Sequence, residues 1–403
     1  MAKVKLNDVA IEARETWKQS KTDVPVVGLE HLEPDEIWLK RWDLNPDENT
    51  FTKGFKKGQL LFGRRRAYQK KMSVASCDGI CSGDITVISA KPEKILPDLL
   101  PFYLRTDAFF DFAVRGSGGS LSPRVKWSHI SDYEFDLPPI EEQKKLAELL
   151  WAANDLKEKY KKAITATDEM LKAKFREMFG CVGNGEWGME NGENFNAETQ
   201  RRREGESGLA AKNAEVAKSK WPVVKLVSVC HRSGEYGVAA SADAYDPKKG
   251  RYIRITDITD EGKLNNDIVS PNIYEEKCRL KINDILFART GNTVGKTYIH
   301  KNGFCTFAGY LIRYVCKEDI IDPNYLFSYT HTHEYYKWVE NAKKIGAQPN
   351  INATQYDEMP IPLPPLALQR EFVAIAEKAE AAKTALKKSI ADIDQVMKGL
   401  INQ

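Results

Sequence analysis

Apolar residues recur along this chain with two periods, and the two periods alternate in the same order twice. Short runs of alternating or β-branched character, VPVVGLEHL (Val24 to Leu32) and GQLLFGRR (Gly58 to Arg65), predict strands. RYIRITDIT (Arg251 to Thr259) and NDILFART (Asn283 to Thr290) repeat that signal later. An aromatic-rich, helix-like stretch follows in each case, LLPFYLRTDAFFDFAV from Leu99 and NYLFSYTHTHEYYKWV from Asn324. A polar, glycine-bearing loop comes next, RGSGGSLSPR from Arg115 and KIGAQPNINA from Lys344. Each series ends in Leu-Pro-Pro and then a long segment of helical period.

Proline suits the first turn of a helix, where its missing N–H would have been unpaired, and it pushes the preceding residue out of the α region. In the second long segment Phe372, Ala379, Leu386, Ile393 and Leu400 stand seven apart, with Ile375, Ala382 and Val396 beside them. In the first, Leu146, Leu149, Ala153, Leu156, Tyr160, Ala163, Ile164, Met170 and Leu171 trace the matching stripe, interrupted at Thr167 and Lys174. Heptad spacing of this kind predicts two helices packed along an apolar seam. A helix of about 37 residues is about 55 Å long at 1.5 Å per residue. One such helix cannot bury its own seam, and the other is the evident partner.

The two series are one unit repeated. Leu137, Pro138, Pro139 and Gln143 recur 226 positions later as Leu363, Pro364, Pro365 and Gln369. Without a gap, Ala153, Lys157, Lys161, Ile164, Asp168 and Lys172 recur as Ala379, Lys383, Lys387, Ile390, Asp394 and Lys398. The fold class expected is α/β, of the α+β type: globular domains over 1–137 and 221–363, and long helices over 138–180 and 364–403. The intervening 181–220 is rich in Gly, Asn, Glu and Arg, lacks apolar periodicity and has no counterpart after the second helix. It reads as a flexible tether.

Composition narrows the class. A hydrophobic content of 42% with 29% charged residues is that of a globular protein. No apolar run approaches the roughly 20 residues that span a bilayer, and the first ten residues lack the apolar core of a signal peptide, so a cytoplasmic address is expected. Seven cysteines without paired zinc-like spacing predict free thiols. The formal charge of +3 is close to neutral, so any basic surface has to be local.

Catalytic signatures are missing. GNTVGKT (Gly291 to Thr297) has three residues between its glycines where a phosphate loop needs four. His331 and His333 are one residue apart on a predicted helix and point to different faces. No metal, cofactor or catalytic residue is expected. Polar and basic loops are present instead. Arg64, Arg65, Arg66, Tyr68 and Lys70 follow the first strand, and Ser120, Ser122, Arg124 and Lys126 sit on the later loop. Arg289, Thr290, Asn292, Thr293 and Lys296 hold the corresponding place in the second half, with Gln348, Asn350 and Asn352 on its later loop. Arginine carries a planar fork that fits guanine edges or phosphates, and Asn or Gln can pair with adenine. Two such sets, placed alike in two repeats, point to contact with double-stranded DNA.

In the duplicated Leu-Pro-Pro-x-x-x-Gln helix starts at Leu137 and Leu363, the two long helices and the stretch LFARTGNTVGK from Leu286 to Lys296, the chain resembles the specificity subunits of type I restriction–modification enzymes. The resemblance covers nearly the whole length. It implies two target recognition domains, each reading half of a split DNA site. It implies an antiparallel coiled coil that holds them apart, related by a pseudo-twofold axis. It implies partners that carry the chemistry: methyltransferase subunits, two of them expected, and restriction (translocase and nuclease) subunits, together defending against foreign DNA. A coiled-coil adaptor, or a specificity protein of a related DNA-modification defence system, is the alternative. The loop SGGSLSPRVKW matches its counterpart poorly, as different half-sites would require.

Overall fold

A computed structural model describes residues 2–18, 22–44, 50–119, 121–180, 220–343 and 349–401. The expected tether over 181–220 therefore lies outside the described residues, Lys220 excepted. The chain divides into two compact units, Met1–Ile164 with Thr384–Gln403, and Thr165–Lys383. Each unit thus contains one globular domain and a part of both long helices.

The same sheet is built in each unit. In the first, Ala10–Ala13, Ile85–Ala90, Leu60–Gly63 and Met72–Val74 lie side by side in that order, all antiparallel. In the second, Glu235–Tyr236, Leu311–Tyr314, Ile285–Ala288 and Thr297–Ile299 repeat the order and the directions. The predicted LLFG and ILFA runs are the strand second in chain order, and all four residues of each are buried. A strand buried on both faces reads as continuous apolar sequence rather than as alternation.

The aromatic stretches fold as paired short helices, Leu100–Leu104 with Asp107–Arg115 and Pro323–Tyr329 with His333–Ala342. Thr106 and Thr332 cap the second helix of each pair by accepting from Phe109 N and Tyr335 N. Their aromatic side chains, Phe102, Tyr103, Phe109 and Phe110 in one unit and Tyr325, Tyr329 and Tyr335 in the other, are core.

The Leu-Pro-Pro motif has a physical explanation in each unit. The opening strand of the domain clamps the segment that enters the helix: Ala2–Lys5 pairs antiparallel with Glu134–Leu137, and Val223–Lys225 with Pro360–Pro362. The glutamine four residues past the second proline is then buried against the domain. Gln143 Oε1 accepts from Leu96 N at 2.9 Å, and its Nε2 donates to Pro138 O at 3.0 Å and Lys94 O at 3.2 Å. Gln369 accepts from Asp322 N at 2.8 Å and donates to Pro364 O at 2.8 Å and Ile320 O at 3.3 Å.

The long helices are Ile140–Phe179, of 40 residues, and Leu366–Ile401, of 36. Within the second unit they run antiparallel, with Asp168 beside Lys383 while Phe175 and Phe179 pack on Phe372. Within the first unit Lys157 faces Asp394, and Met397, Leu400 and Ile401 pack on the domain core that includes Leu150.

The seam differs from the expected stripe. Leu149 is 57% exposed and Leu156 40% exposed, so neither lies in it. The inward frame runs one position away, through Gln143, Ala147, Leu150 and Asn154, all buried, and on to Lys157 and Asp168. Of the other expected seam residues, Phe372 is buried, and Leu146, Ile375, Leu386, Ile393 and Leu400 are half-buried. At Leu149 and Leu156 apolarity misleads, because the neighbouring polar residues turn inward: Gln143 bonds to backbone of its domain, and Lys157 and Asp168 bond across the pair to Asp394 and Lys383.

Candidate nucleic-acid interface

Each sheet presents one arginine and a turn at the end of its second strand, joined by backbone bonds to a later loop. In the first unit Val125 N donates to Arg64 O at 3.0 Å, and Arg65 bridges Arg124. In the second, Ile351 N donates to Arg289 O at 2.9 Å, and Thr290 bridges Asn350. Arg64 and Arg289 therefore occupy equivalent places, as do Arg65 and Thr290, Arg124 and Asn350, and Lys126 and Asn352. The framework is shared and the side chains at its tip differ.

Extended backbone sends neighbouring side chains to opposite faces. Arg64, Arg65 and Arg66 consequently do not form one cluster. Arg65 Nε donates to Ser122 Oγ at 2.5 Å, and its guanidinium reaches Asp84 at 3.5 Å. Arg124 donates to both oxygens of Asp84, at 2.6 and 3.2 Å. The hydrogen bond from Arg124, with the charge of Arg65 nearby, holds the Asp84 carboxyl below the usual carboxylate range. Arg66 is exposed, with φ 54°, and Arg66 and Lys70 flank the turn Ala67–Gln69 in left-handed conformations. Tyr68 is exposed at its tip. Lys70 is paired with Asp107 at 2.7 Å. Arg64 faces a separate cleft with Lys126 and Trp127. Ser120 lies outside the described residues.

In the second unit the arginine is held more closely. The Arg289 guanidinium sits 4.8 Å from the Tyr236 ring centre, and its Nε donates to Asn350 Oδ1 at 3.3 Å. Asn352 caps the helix Ala353–Asp357 by accepting from Gln355 N at 2.9 Å, so its amide oxygen has a structural partner. Lys296 pairs with Asp260 at 2.7 Å, Thr293 Oγ1 donates to Thr290 O, and Asn292 is exposed. Gln348 lies outside the described residues. Gly291 and Gly295 have φ of 69° and 88°, and a Cβ on Gly295 would meet Val339 at 2.9 Å. The stretch is a tight turn leading into the strand Thr297–Ile299, and the glycines serve that turn and its close packing.

Sequence reasoning missed Asp84, Tyr236, Arg14 and Trp127. Asp84 became a partner of two arginines only through the fold. Tyr236 stands on the short first strand of its sheet, whose two residues carry too little periodicity to detect. Among the described residues no group of three or more His, Cys, Asp or Glu could hold a metal ion. No described helix is long and apolar enough to cross a membrane.

The fold and these loops match known proteins. Residues 218–395 match the family described as "Type I restriction modification DNA specificity domain". A type I restriction enzyme EcoDI specificity subunit from Escherichia coli is 23% identical over 141 residues, covering 34% of this chain and 31% of that protein. The match thus spans less than a third of that relative's length. Two solved structures share the fold over nearly the whole chain. One is the type I restriction–modification S subunit from M. genitalium, at a TM-score of 0.55 and 11% identity, covering 100% of this chain and 95% of that one. The other comes from a study of complex assembly and conformational transition in a type I R-M system, at 0.53 and 18%, covering 99% and 96%. Over residues 218–395 the chain is similar to type I restriction modification DNA specificity domains, and over nearly its whole length its fold is similar to that of these two solved chains.

Proposed function

We propose that this chain is the non-catalytic reader of a type I restriction–modification complex. Each domain reads one half of a bipartite duplex site, and the paired long helices set the separation between the halves. The observation that carries this reading is the repeated framework with unlike tips. Arg65 and Arg124 in one domain stand where Thr290 and Asn350 stand in the other. Equal scaffolds with different donors and acceptors are what two different half-sites require, since bases are told apart by hydrogen-bonding edges. The resemblance assigns bond-making and bond-breaking to methyltransferase and restriction subunits. Leu149 and Leu156, seven residues apart, leave an exposed apolar row on the first long helix within the first unit, which suits the docking of such a partner. A cytoplasmic location follows from the DNA substrate.

The test is to co-express the chain with its methyltransferase subunits and map modified bases in the host DNA. A two-part site with an unread gap is expected. Modification without sequence preference, or at one uninterrupted sequence, overturns the reading.

A further inference from the structure

In the first unit, Glu12, Arg14, Lys53, Arg64, Lys126 and Trp127 line a cleft of about 550 Å³. Its acids are already neutralised. Glu12 is paired with Arg14 at 2.8 Å and with Lys53 at 3.8 Å, and the nearby Glu15 with Lys56 at 3.2 Å. Arg64 and Lys126 remain. The buried Nε of Arg64 has no hydrogen-bond partner among the described residues, and the Lys126 ammonium has no ion pair there. Burial, with the charge of Arg64 as a further cause, pushes the Lys53 ammonium down despite Glu12 beside it. The cleft lining therefore carries two positive charges, Arg64 and Lys126, without an ion pair among the described residues.

In the second unit the equivalent side chains are engaged. Arg289 lies against Tyr236 and Asn350, and Asn352, in the place of Lys126, caps a helix. Ala13 and Glu235 hold matching positions in the sheet register, opposite Val87 and Arg313, so Arg14 follows where Tyr236 follows. A second arginine thus replaces the aromatic ring, and Arg64 is left without the stacking partner that Arg289 has.

We infer that Arg64 and Lys126 clamp a backbone phosphate of the DNA held by the first domain, and that the second domain has no such clamp. This rests on the DNA-reading role proposed above. A concave, cationic cleft fits a group that protrudes, as a phosphate does. A base edge lies recessed in its groove and needs a side chain that projects into it. Arg64 and Lys126 are therefore positioning residues, which fix the domain on the duplex without selecting its sequence.

The experiment uses the full chain assembled with its methyltransferase subunits, and duplexes with and without the mapped site. Affinity is measured by fluorescence anisotropy over a range of salt concentrations. Each lost phosphate contact lowers the salt slope by about one. With one phosphate at stake, the double variant Arg64→Ala with Lys126→Ala should lower it by about one, and each single variant by part of that. Affinity should fall by the same factor on both duplexes. Arg64→Lys should keep the slope. An unmoved slope in the double variant overturns the inference. So does a loss confined to one base position of the first half-site, which would mean that Arg64 reads a guanine edge. Lys126 is exposed, so its substitution reports on the clamp even where Arg64→Ala fails to fold. A wild-type complex that ignores the mapped site overturns the DNA-reading role itself. A wild type that binds it while the variants match it overturns only the clamp.

Discussion

Lys157 donates from Nζ to Asp394 Oδ1 across 2.7 Å, joining the first long helix to the second within the first unit. The repeat converts this pair into its own mirror. Lys383 and Asp168 are the residues 226 positions from Lys157 and Asp394, and Lys383 donates to Asp168 at 2.5 Å within the second unit. Each helix supplies the lysine once and the aspartate once, as an antiparallel pair of duplicated helices must. Exchanging the charges, as Lys157→Asp with Asp394→Lys, should restore what either single change removes. A double-mutant cycle in urea should give a coupling of about 0.5–1 kcal/mol, the upper range for partly exposed pairs.

The second pair adds a pH dependence. Burial pulls the Lys383 ammonium down, and its hydrogen bonds to Asp168 and Glu380 more than offset it, leaving its pKa above the ordinary value. A raised lysine contributes stability that is fully present below its unfolded value of about 10.4 and is lost as pH rises through the folded value. Lys383→Met should remove that alkaline loss from a melting-temperature profile. A profile with the same alkaline limb in both proteins would contradict this.

Asp84 gathers Arg65 and Arg124. Its carboxyl is held below the usual range chiefly by the hydrogen bond from Arg124. A depressed carboxylate contributes stability that is present above an unfolded value of about 3.9 and is lost as pH falls through the folded value. Asp84→Asn should remove this acid-sensitive contribution. It should also relax sequence preference in the first half-site while the second is read as before. Methylation mapping of the variant checks this, and a change in both half-sites would contradict it.

The glutamine anchors should matter more than any surface pair. Gln143→Ala leaves Leu96 N, Lys94 O and Pro138 O without their partner, and Gln369→Ala does the same to Asp322 N, Ile320 O and Pro364 O. Burying unpaired groups of this kind costs about 1–3 kcal/mol. The two residues share no partners, so their effects should add within about 0.5 kcal/mol. Urea unfolding of the single and double variants measures this.

Leu156→Asp should leave folding intact, since exposed substitutions usually shift stability by no more than about 0.5 kcal/mol. On the docking role proposed for that row, it should weaken assembly with the methyltransferase subunit. Size-exclusion chromatography of the mixed subunits distinguishes loss of the complex from loss of the fold.

The sequence by itself determined the duplication, the strands LLFG and ILFA and the helix starts at Leu-Pro-Pro. These are local signals: proline's fixed geometry, apolar period and an offset that any reader can count. It did not determine which face of each long helix turns inward. Apolarity favoured Leu149 and Leu156, but the inward frame carries Gln143 and Lys157, which find Leu96, Lys94 and Asp394 as partners only in the folded chain. Nor did it separate Arg64 from Arg65. Adjacent in sequence, they face opposite sides of one extended segment, and only tertiary structure brings Asp84 to one and leaves the other facing a cleft. The same holds for Arg289, whose neighbours Tyr236 and Asn350 are brought to it by strand pairing and by a loop bridge. Residue type is local information. The partner that decides whether a charged side chain is engaged or free is supplied by segments remote in sequence, and those meet only when the sheet has formed.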